Sequence, residues 1–390
     1  MRRILILMSD TGGGHRASAE ALQSAFATRF PGRFQVEIVD LWTDYTPWPI
    51  NRLPRLYSPL VARALWLWKL LWLIFENERA LSAVLRLVYP LCRKEMARAL
   101  QMHRPHLIIS VHPLMQQLFL WLIEKEGPPT PFVTVVTDLA SFHHGWFHTR
   151  AQRCFVASET AANAARRHGL QLHQIRLLGL PVRSAFAQTL PDRATARASL
   201  GLTGAAFTAL LVGGGEGMGP VAAIAHAVAH RLAATGTEVQ LIVICGRNRR
   251  LRRALQRAEW PLPVQVHGYV DNMQAWMTAA DCIITKAGPG TIAEALICGL
   301  PILLSGFIPG QEEGNVPFVV ENRVGAYCES PRAIAETVGE WASGDELERM
   351  AARARRLGRP RAAYDIVDEI VGLMEGEGGP GGAPEQCSEV

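Results

Sequence analysis

The sequence has no C-x-x-C pair, no G-K-[ST] and no H-E-x-x-H. Its seven cysteines (Cys92, Cys154, Cys245, Cys282, Cys298, Cys328 and Cys387) are scattered through apolar contexts. They read as reduced thiols, not as a disulfide frame or a zinc site. The other two absences exclude a P-loop hydrolase and the metalloprotease type of zinc site. No period of about 20 to 50 residues recurs, which argues against a solenoid or propeller. The 34 glycines follow no Gly-X-Y pattern, so the chain is not collagen-like. Only five apolar residues follow Arg2 and Arg3 before Ser9 and Asp10. That is too short for a signal-peptide core, and nothing before it has transit-peptide character, so a cytosolic chain is expected.

What is present is a foldable chain of 390 residues, 49% of them hydrophobic, enough for two or three domains. Its charge is uneven: residues 1–190 carry a net +10 and residues 191–390 a net −5. A basic first half is expected to face something anionic, nucleic acid or a membrane surface. Arg3–Met8 reads as a buried parallel strand, Asp10–Gly14 as a glycine turn and Ala17–Phe30 as a helix. Further strands are expected at Val36–Val39, Leu107–Val111, Pro131–Thr137 and Cys154–Ala157. The pattern restarts with a strand at Phe207–Val212, a glycine turn at Gly213–Gly219 and a helix at Pro220–Thr235. Strands at Val239–Cys245, Val264–His267, Cys282–Thr285 and Pro301–Leu304 follow. This predicts an α/β protein of two doubly wound, Rossmann-like domains. The expected units are residues 1–190, residues 191–358, a C-terminal helix over 359–375 that crosses back to the first domain, and a disordered tail over 376–390. The linker is expected at Pro181–Asp192.

Four stretches carry candidate chemistry. In the first turn, Gly12-x-Gly14-x-x-Ala17 matches a dinucleotide fingerprint, a weak signal on its own. His15 at the helix start is expected to be neutral, either as a proton acceptor or as a satisfied capping residue. The second turn, Gly213-Gly214-Gly215-Glu216-Gly217-Met218-Gly219, suits a diphosphate through its backbone N–H groups. In the third, Thr285–Ala295, Gly288, Gly290 and Thr291 can donate to phosphate oxygens. Glu294 can take two ribose hydroxyls or close a capping box with Thr291 on a helix starting near that residue. The fourth, Pro309–Asn315, sets Gln311 beside Glu312, a pair suited to sugar hydroxyls or simply a solvated loop. Asp138 ends a strand and is followed by His143, His144 and His148. The i, i+4 spacing of the last two makes a metal site conceivable. No D-x-D supports a metal-clamped sugar nucleotide.

Pro47–Tyr89 stands apart. It holds Trp48, Trp66, Trp68 and Trp72, and Ala64–Phe75 reads ALWLWKLLWLIF. As a helix this would be about 18 Å long, short of the roughly 30 Å bilayer core. Tryptophans flanked by Arg52, Arg55, Arg63 and Lys69 fit an interfacial segment on anionic headgroups; a buried core helix is the alternative. Pro90 is expected to end this helical region.

The stretches LMSDTGGGHRASAEAL, DLWTDYTPWP, ISVHPLMQ, TDLASFHHGWFH, GLPVR, GGGEGMGP, ICGRN and ITKAGPGTIAEALICGLPILLSGFIPGQEEGNVPFVVEN closely resemble the monogalactosyldiacylglycerol synthases of plants and phototrophic bacteria, within glycosyltransferase family 28. The resemblance runs from about residue 4 to residue 370 and suggests a bacterial member. It implies a GT-B fold, with the second domain binding UDP-galactose and the first binding diacylglycerol and the membrane. It implies an inverting, metal-free transfer that yields a β-galactolipid and UDP, by an enzyme bound peripherally to the inner face of the cell membrane. It implies His15 as general base, with Asp138 orienting it or acting in its place. Glu294 would hold the ribose, and Gln311 and Glu312 the hexose. Gly14, Gly214, Gly215, Glu216, Gly288, Gly290 and Thr291 would lie on the donor side, and Tyr269 and Val270 would clamp the uracil. Pro49 and Trp146 would lie toward the acceptor and anionic lipids, with Trp66, Trp68 and Trp72 at the membrane. The sequence departs from the plant pattern at His144, where those enzymes have proline, and in a more apolar tryptophan segment.

Other readings remain open at this point. A diacylglycerol glucosyltransferase would differ by one hydroxyl at C4 of the donor. A membrane sensor would bind a UDP-sugar without turnover. A nicotinamide oxidoreductase rests only on the Gly12/Gly14/Ala17 match. A nucleic-acid binder lacks any recognition motif. The GQEEGN loop and the DLWTDYTPWP segment argue against a peptidoglycan-precursor transferase.

Overall fold

The computed structural model describes residues 1–10, 13–56, 60, 64–217 and 219–376. Thr11, Gly12, Arg63, Met218 and the expected disordered tail beyond Gly376 lie outside them. Two six-stranded sheets, parallel throughout, organise the chain. The first holds β1 (Arg2–Met8), β2 (Phe34–Asp40), β3 (Leu107–Ser110), β4 (Phe132–Val135), β5 (Arg153–Val156) and β6 (Ile175–Leu177), in the order β2-β1-β3-β4-β5-β6. The second holds β7 (Phe207–Val212), β8 (Val239–Ile244), β9 (Val264–His267), β10 (Cys282–Thr285), β11 (Ile302–Leu304) and β12 (Gly325–Tyr327), in the order β12-β11-β10-β7-β8-β9. The central strands are buried on both faces, which is why Ile4–Met8 and Val239–Ile244 read as continuous apolar runs. Strand order reverses between β1 and β3 and between β7 and β10. The crevices beyond the carboxyl ends of those strands are where such sheets bind ligands, and both glycine turns lie there. The edge strands β6 and β12 escape sequence reading because three half-buried residues carry no recognisable period.

Two stretches of chain join the sheets. Leu180, Val182 and Phe186 of the first are buried in the core of the second sheet. The two crossings touch at Gly179, which has φ +102° and where a Cβ would lie 2.6 Å from Arg359 Cβ, so only glycine fits. The last helix, Ala362–Glu375, buries Ile366, Val367, Ile370 and Val371 against Ile4, Ile6, Leu22 and Phe26 of the first domain. Arg29 clamps its Asp368 bidentately at 3.1 and 2.8 Å.

The tryptophan segment forms the helix Leu65–Glu76. Pro90 does not end the helical region. The break falls at Asn77, whose side chain caps a second helix, Glu78–His103, that runs through Pro90. A proline inside a helix forfeits one backbone bond, and packing of Leu81, Leu85, Cys92 and Met96 against β1 and β3 holds the helix together across it. Trp68 and Trp72 do not face outward as expected for membrane residues. The Trp68 indole donates to the Pro309 carbonyl at 3.1 Å, and Trp72 covers Gly310. At Gly310, φ is +78° and a Cβ would sit 2.3 Å from Trp72 Nε1. Trp66, 71% exposed, points away from the protein. No helix among the described residues is long and apolar enough to cross a membrane.

Candidate active site

His15 sits in the first turn of the helix Gly14–Arg29, directly beyond β1, and is buried. Its Nδ1 lies 2.9 Å from Thr137 Oγ1. Its ring packs edge-on against His112, with centroids 4.7 Å apart, and lies 6.1 Å from Trp146. Burial lowers its pKa to about 4; contact with the Val111 carbonyl pulls the other way and loses. The ring is therefore neutral at pH 7, as its place at a helix start suggested, but burial is the larger cause.

Asp138 follows β4 and does not orient His15 directly; its neighbour Thr137 does. Asp138 Oδ2 instead accepts the Trp146 indole N–H at 2.5 Å. Burial raises its pKa to about 7; the Trp146 bond opposes this, and the Glu312 charge from the facing domain adds to it. Trp146, expected toward the lipids, is instead fully buried in the first domain's core, where its indole holds Asp138. Pro49 is exposed beside Trp48, at the start of the turn Ile50–Arg52.

On the facing domain, the turn after β7 is pinned to the turn after β8: Arg247 N–H donates to the Gly215 carbonyl at 2.8 Å. Arg247 also pairs with Glu216 at 3.1 Å and lies 4.8 Å over the Tyr269 ring. Tyr269 is 59% exposed, an open face for a planar ring, while Val270 packs into the core beneath. After β10 the helix begins at Pro289 with Gly288 as its cap, earlier than Thr291. Thr291 and Glu294 therefore form no capping box. Glu294 Oε1 accepts instead from Arg183 at 3.0 and 3.3 Å. Burial raises the Glu294 pKa and Arg183 works against that. Gly290 lies in the first turn of this helix, beside the N–H groups that no helical carbonyl accepts.

Glu312 is buried and bonded through both oxygens, one to Lys286 Nζ and the other to the Ile308 N–H at 2.9 Å. The Lys286 side chain passes close to Gly214 and Gly288, so a cation stands between the two glycine turns. Gln311 is half-buried on the same loop. The segment after β4 docks here: Ala140 N–H donates to Asn315 Oδ1 at 3.0 Å, and Gly314 N–H to Ser141 Oγ at 2.6 Å. The structure thus brings His15 and Asp138 together on one wall of a cleft, and Lys286, Glu294, Gln311 and Glu312 on the other. Pro49 and Trp66 lie outside it.

The conceivable His144/His148 metal pair is not realised. His144 pairs with His168 at 2.7 Å, and His148 with Gln117 at 3.2 Å. Among the described residues no group of three His, Cys, Asp or Glu side chains could hold a metal ion. Thr137, Arg183, Arg247 and Lys286 received no role from the sequence. All four lie at or beside strand ends or in the stretches TDLASFHHGWFH, GLPVR, ICGRN and ITKAGPG, and that adjacency was the available signal.

The family profile of monogalactosyldiacylglycerol (MGDG) synthase matches residues 15–182, and that of the glycosyltransferase family 28 C-terminal domain matches residues 208–354. The chain is 45% identical over 380 residues to monogalactosyldiacylglycerol synthase 1, chloroplastic, of Arabidopsis thaliana, covering 96% of this chain and 71% of that protein. It is 46% identical over 386 residues to the chloroplastic monogalactosyldiacylglycerol synthase of Spinacia oleracea, covering 96% and 73%. Among solved structures, MurG of Acinetobacter baumannii superposes with a TM-score of 0.61 at 15% identity, covering 95% of this chain and 99% of that one. A glycosyltransferase of kitacinnamycin gives 0.62 at 15% identity, covering 96% and 99%. A putative UDP-N-acetylglucosamine 2-epimerase from Listeria monocytogenes gives 0.61 at 12% identity, covering 96% and 97%. These structural likenesses establish the GT-B fold alone, which an epimerase shares with transferases.

Proposed function

This chain belongs to the monogalactosyldiacylglycerol synthase family, and from that membership we infer that it moves galactose from UDP-galactose to 1,2-diacylglycerol. The observation that carries the reading is the pairing of a buried, neutral His15 on one wall with Lys286 and a helix N-terminus on the other. An alcohol with a pKa far above 7 needs its proton removed as the new C1–O bond forms. In the tautomer whose Nδ1–H faces Thr137 Oγ1, His15 Nε2 accepts that proton. The charge of an incoming diphosphate raises the His15 pKa toward neutrality, which strengthens it as a base when the donor is bound. The oxygen attacks C1 from the face opposite the leaving UDP, so the configuration inverts. Lys286 and the N–H groups at Gly288–Thr291 take up the charge of the departing diphosphate, a role that elsewhere falls to a metal. Glu294, held by Arg183, binds the ribose hydroxyls, and Gln311 and Glu312 face the hexose. Tyr269 and Val270 take the uracil.

The acceptor enters from the membrane. Trp48, Leu53, Leu56, Trp66 and Leu70 are exposed on the first domain, with Arg52, Arg55 and Lys69 exposed among them. This mixture suits an anionic interface and supports peripheral attachment at the inner face of the cell membrane.

The test is a mixed-micelle assay of diacylglycerol with UDP-galactose or UDP-glucose, with and without EDTA. Turnover with UDP-galactose is expected, undiminished by EDTA. His15→Ala should lower kcat about a hundred- to ten-thousandfold, the usual contribution of a positioned base, while a UDP-induced rise in Tm persists. Preference for UDP-glucose would move the reading to the glucosyl transfer. UDP binding without turnover on either donor would favour the sensor.

A further inference from the structure

His143 follows β4 on the same stretch as Asp138 and has no part in the mechanism above. It is only 6% exposed. Its Nδ1 accepts the Gly145 N–H at 3.0 Å. Burial, then the nearby His144, lowers its pKa to about 4, so the ring is neutral at pH 7. A neutral ring that accepts at Nδ1 carries its proton on Nε2. That Nε2 is buried and has no hydrogen-bond partner among the described residues. A buried donor left unmet is costly, and an oxygen from a ligand removes the cost.

The surroundings indicate which oxygen. Trp72 packs against its ring, with centroids 5.7 Å apart. His112 lies close enough for His143 to help depress its pKa, and His112 packs against His15. His143 thus contacts the tryptophan helix, whose outer face is exposed at Trp66 and Leu70, and lies near His112, which packs against the base. A lipid passing from the membrane to His15 presents ester carbonyls a few bonds from its free hydroxyl. These are acceptors with no proton of their own, matched to a lone N–H. We propose that His143 Nε2–H donates to a glycerol ester oxygen of the acceptor and so places its free hydroxyl at His15. The inference rests on the galactolipid reading above.

His143→Phe keeps the ring and removes the donor; His143→Gln keeps a donor. With dioctanoylglycerol in detergent micelles, the Phe variant should raise KM for the lipid about five- to tenfold, the worth of one neutral hydrogen bond. KM for UDP-galactose and the UDP-induced Tm shift should not change, and Gln should recover most of the loss. An unchanged lipid KM in the Phe variant overturns the proposal, as does a Gln variant as impaired as Phe. A rise confined to the KM of UDP-galactose also overturns it and assigns the donor to the hexose. Lipid binding read without turnover, as a Tm shift on adding dioctanoylglycerol, separates the two claims. Wild type that binds the lipid without transferring galactose defeats the functional reading alone. If that shift is smaller in the Phe variant, the His143 contact stands. Wild type that shows neither binding nor transfer defeats both.

Discussion

Asp138 and the histidines near it respond to acid in opposite senses. Asp138, at about 7, holds in the folded state a proton that the unfolded chain, near 3.8, releases. Its contribution to stability is full below about pH 4 and is lost as pH rises to 7. His15 and His143, both near 4 against an ordinary 6.5, refuse protons that the unfolded chain accepts, so their contribution is lost as pH falls from 6.5 to 4. Asp138→Asn removes the first effect and keeps an acceptor for the Trp146 indole. Its Tm should therefore climb more steeply than that of wild type between pH 5 and pH 7.5. Equal climbs would mean that Asp138 holds no proton in the fold. His15 and Asp138 were visible in the sequence because a glycine turn and a strand end mark them. Thr137 and Trp146, which hold them, were not legible as partners. The bond from His15 to Thr137 spans 122 positions, and the Trp146 indole returns to Asp138 across an irregular loop of 8; neither leaves a periodic pattern.

At the scale of elements, the tryptophan helix shows how composition misleads when read alone. ALWLWKLLWLIF is apolar nearly all round, so no periodicity separates an inward face from an outward one. Trp68 and Trp72 bind the Pro309–Gly310 loop, which leads directly into Gln311 and Glu312. Deleting Ala64–Phe75 would disturb the donor side and is a poor test of membrane binding. The double variant Trp66→Ser, Leu70→Ser touches only the exposed face. It should lower co-sedimentation with anionic liposomes several-fold and leave the UDP-induced Tm shift intact. Unchanged sedimentation would refute the interfacial role of this face. The glycine turns, by contrast, were legible to the residue, since a strand, a glycine cluster and a helix follow one another locally in the chain.

Across the whole molecule, the two domains are joined through polar contacts as well as chain crossings. Arg183, on the crossing Pro181–Asp192, holds Glu294 of the second domain, and Asn315 reaches back to Ala140 of the first. Arg183 is a third exposed and Glu294 half-buried, so losing Arg183 costs less than the about 2–5 kcal/mol of a fully buried charge pair, and that is still enough to misplace a ribose. Arg183→Ala should raise KM for UDP-galactose about tenfold or more and, with Glu294 easier to protonate, do so most at low pH. Arg183→Lys should restore part of the loss. A pH-independent KM in the Ala variant would show that Arg183 does not keep Glu294 charged.

Strand periodicity, glycine turns and a long series of shared motifs were enough, from the sequence alone, to determine two parallel α/β domains, the order of their ligand loops and the family. These features are local: backbone geometry and the pattern of burial are written within a few residues of each other. The tertiary structure alone decided which polar groups meet. Lys286 found Glu312, Arg183 found Glu294, His15 found Thr137, and Pro309 received the Trp68 indole from 241 positions away. Those pairings arise because strand ends from distant parts of the chain converge on one cleft, where low dielectric makes every unpaired polar group costly and so selects its partner.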